Sequence, residues 1–221
     1  MVDNSLEKVI QAYHDANRRY KDAKEERSWW MFQLVYLDDP RVSAILTLAL
    51  SDDDPQLRYW ATWCLAVRAH NPDFALQNLQ PYLPLLLKLI DLGEEKAPGD
   101  RNPCMTCIAL AKIGGIEVMD TVIKTLTSAN PDLRESARNG LFVLLQDHEA
   151  SAMPHVLQAL QSDNLLIRTG AAWALCRFNE QLKATVVSYL QEGLQVPELK
   201  RQFQIWLDEL NGIPPQFIPI E

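Results

Sequence analysis

The sequence predicts an all-α protein built from about six stacked helix pairs, and three observations carry that expectation. The first is self-similarity. Asp54-Pro-Gln-Leu-Arg58 is followed by Ala61 and Leu65, Asn130-Pro-Asp-Leu-Arg134 by Ala137 and Leu141, and Asp163-Asn-Leu-Leu-Ile-Arg168 by Ala171 and Leu175. Recurrence of one short phrase along a chain is the mark of a repeat architecture. The second is spacing. Anchored on Leu34, Leu65, Leu110, Leu141, Leu175 and Leu207, the intervals are 31, 45, 31, 34 and 32 residues, the length of two short helices and their turns. The third is the absence of strand patterning, since Val, Ile and Thr are scattered through the chain rather than alternating.

Taken in order, the 221 residues read as a single domain. An N-terminal pair spans 1–37, opened by Asn4 or Ser5 as a cap and closed by the apolar run from Ser28 to Leu37. Five further pairs fill 38–211. Arg41 to Leu50 and Gln56 to Arg68 form the second pair, with Pro40 at the first helical turn, where its missing N–H is harmless. The third pair joins Tyr82–Leu92 to Cys104–Ile113 through the Gly- and Pro-rich segment 93–103, which accounts for the long interval. Gly114 and Gly115 stop its second helix. Ile116–Thr127 and Asp132–Leu145 make the fourth pair, Ser151–Gln161 and Asp163–Phe178 the fifth, and Gln181–Glu192 and Pro197–Leu210 the sixth. The tail, 212–221, holds three prolines and is expected to lie extended on the last pair. Each pair is too small to bury its own apolar face and is stable only against its neighbours.

Composition narrows the function classes. The net charge of −8 argues against broad nucleic-acid binding or attachment to an anionic membrane, because either needs a basic footprint. No segment is long and apolar enough to span a bilayer, and the N-terminus lacks a signal-peptide core. Four cysteines without an export signal point to reduced thiols in a cytoplasm.

The phrase Asp/Asn-Pro-x-Leu-Arg-x-x-Ala-x-x-x-Leu resembles the HEAT repeat, in the short bacterial form of the phycobilin lyases and their relatives. The match is good at 54–65, 130–141 and 163–175, fair at 27–34 and 197–207, and poor at 103–110, where Pro103 stands in the basic position. The resemblance implies a right-handed α-solenoid with first helices on the convex side and second helices lining the concave side. It also implies that Arg58, Arg134 and Arg168, with the Asp or Asn four residues before each, form a structural ladder between turns. Members of this family include enzymes, assembly chaperones and plain binding modules, so the fold alone does not assign an activity.

Chemistry-bearing patterns are few. Cys104-Met-Thr-Cys107 stands at a helix start, where a thiol pKa is lowered. No second such pair exists, and His14, His70, His148 and His155 are dispersed, so the pair reads as packing thiols, with redox or metal chemistry as the competing reading. His148-Glu149 resembles the His-Glu pairs of the HEAT-repeat iron hydroxylases but occurs once and in a turn. No catalytic residue, metal site or cofactor is expected.

The informative pattern is positional. With 100° per residue, Leu57, Ala61, Cys64 and Leu65 share the core side of their helix, and Tyr59 and Trp63 face the opposite way. A solvated face should carry charge there, whereas Phe32, Tyr59, Trp63, Ile108, Phe142, Trp173 and Ile205 run along it, with Arg177 beside them. Exposed aromatics and arginine are the usual anchors of a binding surface. The competing reading has curved second helices burying these residues against one another. The expected function is a non-catalytic scaffold binding another protein or peptide in an aromatic concave groove. A phycobilin lyase-like or chaperone-like assembly factor and an acidic immunity or antitoxin-type inhibitor are the alternatives, and the partner and oligomeric state are not written in the sequence.

Overall fold

The computed structural model describes residues 8, 11, 12, 15, 33–37, 39–72, 74, 76–92, 105–178, 183–197 and 199–212. Among these, every regular element is helical. We label the α-helices α1 (Pro40–Leu50), α2 (Pro55–His70), α3 (Leu83–Asp91), α4 (Thr106–Gly114), α5 (Met119–Thr125), α6 (Pro131–Ala159), α7 (Leu165–Phe178), α8 (Lys183–Gly193) and α9 (Lys200–Leu210). Short 3₁₀ turns at Leu76–Asn78 and Gln80–Tyr82 lead into α3, and another at Gly115–Val118 leads into α5. None of the described helices is long and apolar enough to cross a membrane.

Starts and stops follow local chemistry. Asp39, Asp54 and Asn130 cap α1, α2 and α6, and a proline occupies the first helical position of each. Gly115 ends α4 with φ at +56°, a conformation costly for any residue with a Cβ, and a Cβ there would also lie 3.1 Å from His148 Nε2. The expected fourth and fifth pairs are joined differently from expectation. Instead of a turn after Leu145, α6 runs on to Ala159 with one non-helical residue, His148, at φ −138° and ψ 39°. No Gly or Pro lies between Leu145 and Ser151 to end the helix, so a single-residue kink makes the change of direction.

Packing follows chain order. Helix α1 lies on α2, α3 on α4, α5 on α6, and the row α2, α4, α6, α7 packs each on the next, with α8 on α7 and α9 on α8. The main core runs from Leu34 through Leu57, Leu65, Leu110 and Leu141 to Leu175. All four residues expected on the core side of α2 are at most 1 % exposed. Cys64 and its counterparts Ala109, Gly140 and Ala174 form a row of small buried positions, as the spacing predicts. Burial pushes the Cys64 thiol far above its ordinary range. At Gly140 the two second helices touch: an added Cβ would lie 2.8 Å from the Cys107 carbonyl oxygen. One turn earlier, Ser136 Oγ accepts from the Cys107 N–H at 2.9 Å, satisfying a first-turn donor of α4 from the neighbouring helix.

A second, smaller core closes the C-terminal end. It joins Ala172, Trp173 and Cys176 of α7 to Val186 and Leu190 of α8 and to Phe203 and Trp206 of α9. The tail residues 213–221, the segment 93–104 and most of the first pair, Phe32 included, lie outside the described residues.

Candidate binding surface

One turn, built three times, positions the second helices. In the first copy Asp52 Oδ1 accepts the N–H of Asp54 at 2.9 Å, Asp54 Oδ1 accepts the N–H of Gln56 at 3.1 Å, and Arg58 Nη1 donates back to the Asp52 carbonyl at 2.7 Å. In the second, Ser128 Oγ accepts from Asn130 at 3.1 Å, Asn130 Oδ1 from Asp132 at 2.8 Å, and Arg134 Nη1 reaches the Ser128 carbonyl at 2.7 Å. In the third, Ser162 Oγ accepts from Asn164 at 3.1 Å, Asn164 Oδ1 from Leu166 at 3.0 Å, and Arg168 Nη1 donates to the Ser162 carbonyl at 3.2 Å. The recurrent arginine therefore closes its own turn through a backbone carbonyl. That differs from the expected ladder between turns, because a guanidinium four residues into the helix lies directly over the preceding loop. Arg168 also reaches Glu192 of α8, its Nη2 lying 2.9 Å from Oε1 and 3.0 Å from Oε2.

These turns set the register of the face on which the aromatic row was expected, and the row divides. Tyr59 and Trp173 are inside, 2 % and 1 % exposed, so for them the expected wet position is a buried one. Trp63, Ile108 and Phe142 are half-buried against the main core, and Ile205 is exposed. Arg177 is half-exposed. In α2, Tyr59, Trp60 and Trp63 form an edge-to-face chain with ring centres 5.4 and 5.7 Å apart.

The C-terminal members meet around a residue that the sequence reading did not single out. Arg138 of α6 is 2 % exposed, and its guanidinium lies 3.7 Å from the ring centre of Trp173 and 4.7 Å from that of Trp206. Its Nη2 donates to Glu209 Oε2 of α9 at 2.9 Å. Burial lowers the Arg138 pKa, the Glu209 and Glu135 carboxylates act in the opposite direction, and the guanidinium stays charged. Arg177 lies 5.1 Å above the Phe142 ring and 4.9 Å from that of Trp173, and its Nη1 is 3.8 Å from Glu209 Oε1. The structure thus gathers Phe142, Trp173 and Arg177 with Arg138, Trp206 and Glu209, and leaves Tyr59 and Trp63 in a separate cluster on α2. The signal for Arg138 was present in the register. It stands three residues before Leu141, where the other good copies carry Thr62 and Ala172.

Elsewhere, an open cleft of about 540 Å³ lies between α5, the end of α6 and the start of α7, lined by Asp120, His155, Gln158 and Asp163 among others. His155 Nδ1 is 3.8 Å from Asp120 Oδ1 there. Cys107 is fully buried, and Cys104 lies outside the described residues. Among the described residues no three of His, Cys, Asp and Glu gather as a metal site would require. Neither a scan of protein-family models nor a search of curated proteins finds a match to this chain.

Proposed function

We propose that this chain is a HEAT-like α-solenoid that acts as a non-catalytic scaffold, binding another protein or a peptide on the face lined by its second helices. The observation that carries the reading is the turn repeated at 52–58, 128–134 and 162–168, with equivalent bonds at each copy. A chain that builds the same entry to α2, α6 and α7 presents equivalent positions of those helices along one side, which is how solenoids make extended binding surfaces. On that side Trp63, Ile108 and Phe142 remain half-exposed and Ile205 and Arg177 more so, giving apolar anchors beside a cation.

The experiment compares wild type with a Trp63→Ala, Ile108→Ala double variant as bait in extract of the native host, with bound proteins quantified by mass spectrometry. The reading expects a partner held by wild type and weakened roughly thirtyfold in the variant, equivalent to about 2 kcal/mol, while circular dichroism shows unchanged helicity. Equal recovery by a folded variant would remove this face as the binding surface.

A further inference from the structure

The cluster around Arg138 has more donors than acceptors. Arg138 Nε and Nη1, Trp173 Nε1 and Trp206 Nε1 are buried without a hydrogen-bond partner, and so is the Thr169 hydroxyl one turn below Trp173 on α7. Four of these five atoms can only donate. An unsatisfied buried donor is costly, so several around one guanidinium mark a place short of acceptor oxygens. Charge points the same way. Arg138 and Arg177 share one carboxylate, that of Glu209, at 2.9 and 3.8 Å. Glu135 acts on Arg138 through space as well, and Arg177 repels it.

We propose that Arg138 and Arg177 form an oxyanion-binding site, and that Glu209 occupies it in this structure as a ligand supplied by the chain itself. The ligand is a carboxylate of an acidic side chain on a protein partner or a free phosphate, which share two or more acceptor oxygens on one charged centre. Arg177 and Glu209 are half-exposed, so the site is entered by swinging the Glu209 side chain off the two guanidinium groups. The incoming oxyanion replaces the Glu209 contacts to Arg138 Nη2 and Arg177 Nη1. Trp173 and Trp206 lie against the Arg138 guanidinium, which keeps its donors fixed for an acceptor with two oxygens. The proposal rests on the reading of this face as a binding surface, and it assigns to the C-terminal end a preference for acidic segments that the net charge of −8 would not suggest.

The test uses calorimetric titration of the full chain with two probes, acetyl-Glu-Glu-amide and inorganic phosphate, at low salt. Glu209→Gln removes the competing charge and preserves the side-chain shape, so it should bind a probe at least about tenfold tighter than wild type. Arg177→Gln, a change at a half-exposed side chain, should lose what affinity wild type has and should cancel the gain when added to Glu209→Gln. Preference for the peptide identifies a partner's carboxylate as the ligand, and preference for phosphate identifies the free ion. A folded Glu209→Gln protein that gains affinity for neither probe overturns the site, as does a gain that survives Arg177→Gln. Neither titration uses the scaffold's protein partner, so a negative result here leaves the Trp63 bait experiment to be judged by itself.

Discussion

Trp63 and Trp173 stand at the same position of their repeats, two residues before the anchoring leucine, yet one is half-exposed and the other buried. The difference does not come from the tryptophans or from their own helices. Trp63 makes an edge-to-face pair with Trp60 of the same helix, and both rings stay partly exposed. Trp173 is covered from two other helices, by the Arg138 guanidinium of α6 and by Trp206 of α9 within the same small core. A bond between Arg138 and Glu209 then spans 71 residues and ties the last helix across α7. A long charged side chain stands at Arg138 where other copies carry Thr62 and Ala172, and it covers Trp173. Trp63 keeps part of its ring at the surface, and Trp173 is buried in a charge-bearing core that reaches solvent at Arg177 and Glu209.

Changes that break this comparison have graded effects. The largest is expected for Trp206→Ala, which empties the space beneath Arg138. Loss of a fully buried aromatic should lower unfolding free energy by roughly 3–5 kcal/mol in a denaturant titration. A smaller effect is expected at the repeated turn. Arg134→Met leaves the Ser128 and Ala129 carbonyls without their donor and should cost about 1–3 kcal/mol by the same assay. Gly140→Ala should cost a similar amount of roughly 1–3 kcal/mol, because its Cβ would strike the Cys107 backbone and push α4 from α6, outweighing the better helix propensity of alanine. If instead alanine at 140 raises the melting temperature, the close approach of these helices is wrong.

The smallest effect is electrostatic. The Arg41 side chain and backbone N–H hold the Asp39 carboxyl down at about 2, against an ordinary value of 3.8. A depressed acid contributes stability that is present above pH 4 and is lost as pH falls towards 2. Asp39 is only partly buried and its partner Arg41 is exposed, so the contribution is modest and screened by salt. A carbon-detected NMR titration should place its midpoint near 2, and Arg41→Gln should move it towards the ordinary value.

How much of this was readable beforehand depended on how far the deciding contact reaches along the chain. The turns were legible because every bond in them joins residues at most six apart, so Asp-Pro or Asn-Pro followed by Leu-Arg carries its own explanation. The core row of Leu57, Ala61, Cys64 and Leu65 was legible for the same reason, being a property of one helix's period. The inward position of Tyr59 and Trp173 was not. Helical period places them opposite the leucines, but two further helices converge there, and the period of one helix says nothing about that convergence. Arg138 is not legible in the same way, because a charged residue inside a helix is ordinarily solvated, whereas here aromatic stacking and one carboxylate hold it in the interior. The continuity of α6 past Leu145 is not written in the pattern, because a one-residue kink at His148 does there what a loop does between other pairs.

The most direct measurement sets Trp63→Ala beside Trp173→Ala, each followed by denaturant unfolding under the same conditions. A loss of roughly 3–5 kcal/mol is expected for the buried Trp173, whose removal also frees Arg138, and about 1–2 kcal/mol for the partly exposed Trp63. Equal losses, or a larger one at Trp63, would contradict the different burial of these two equivalent positions.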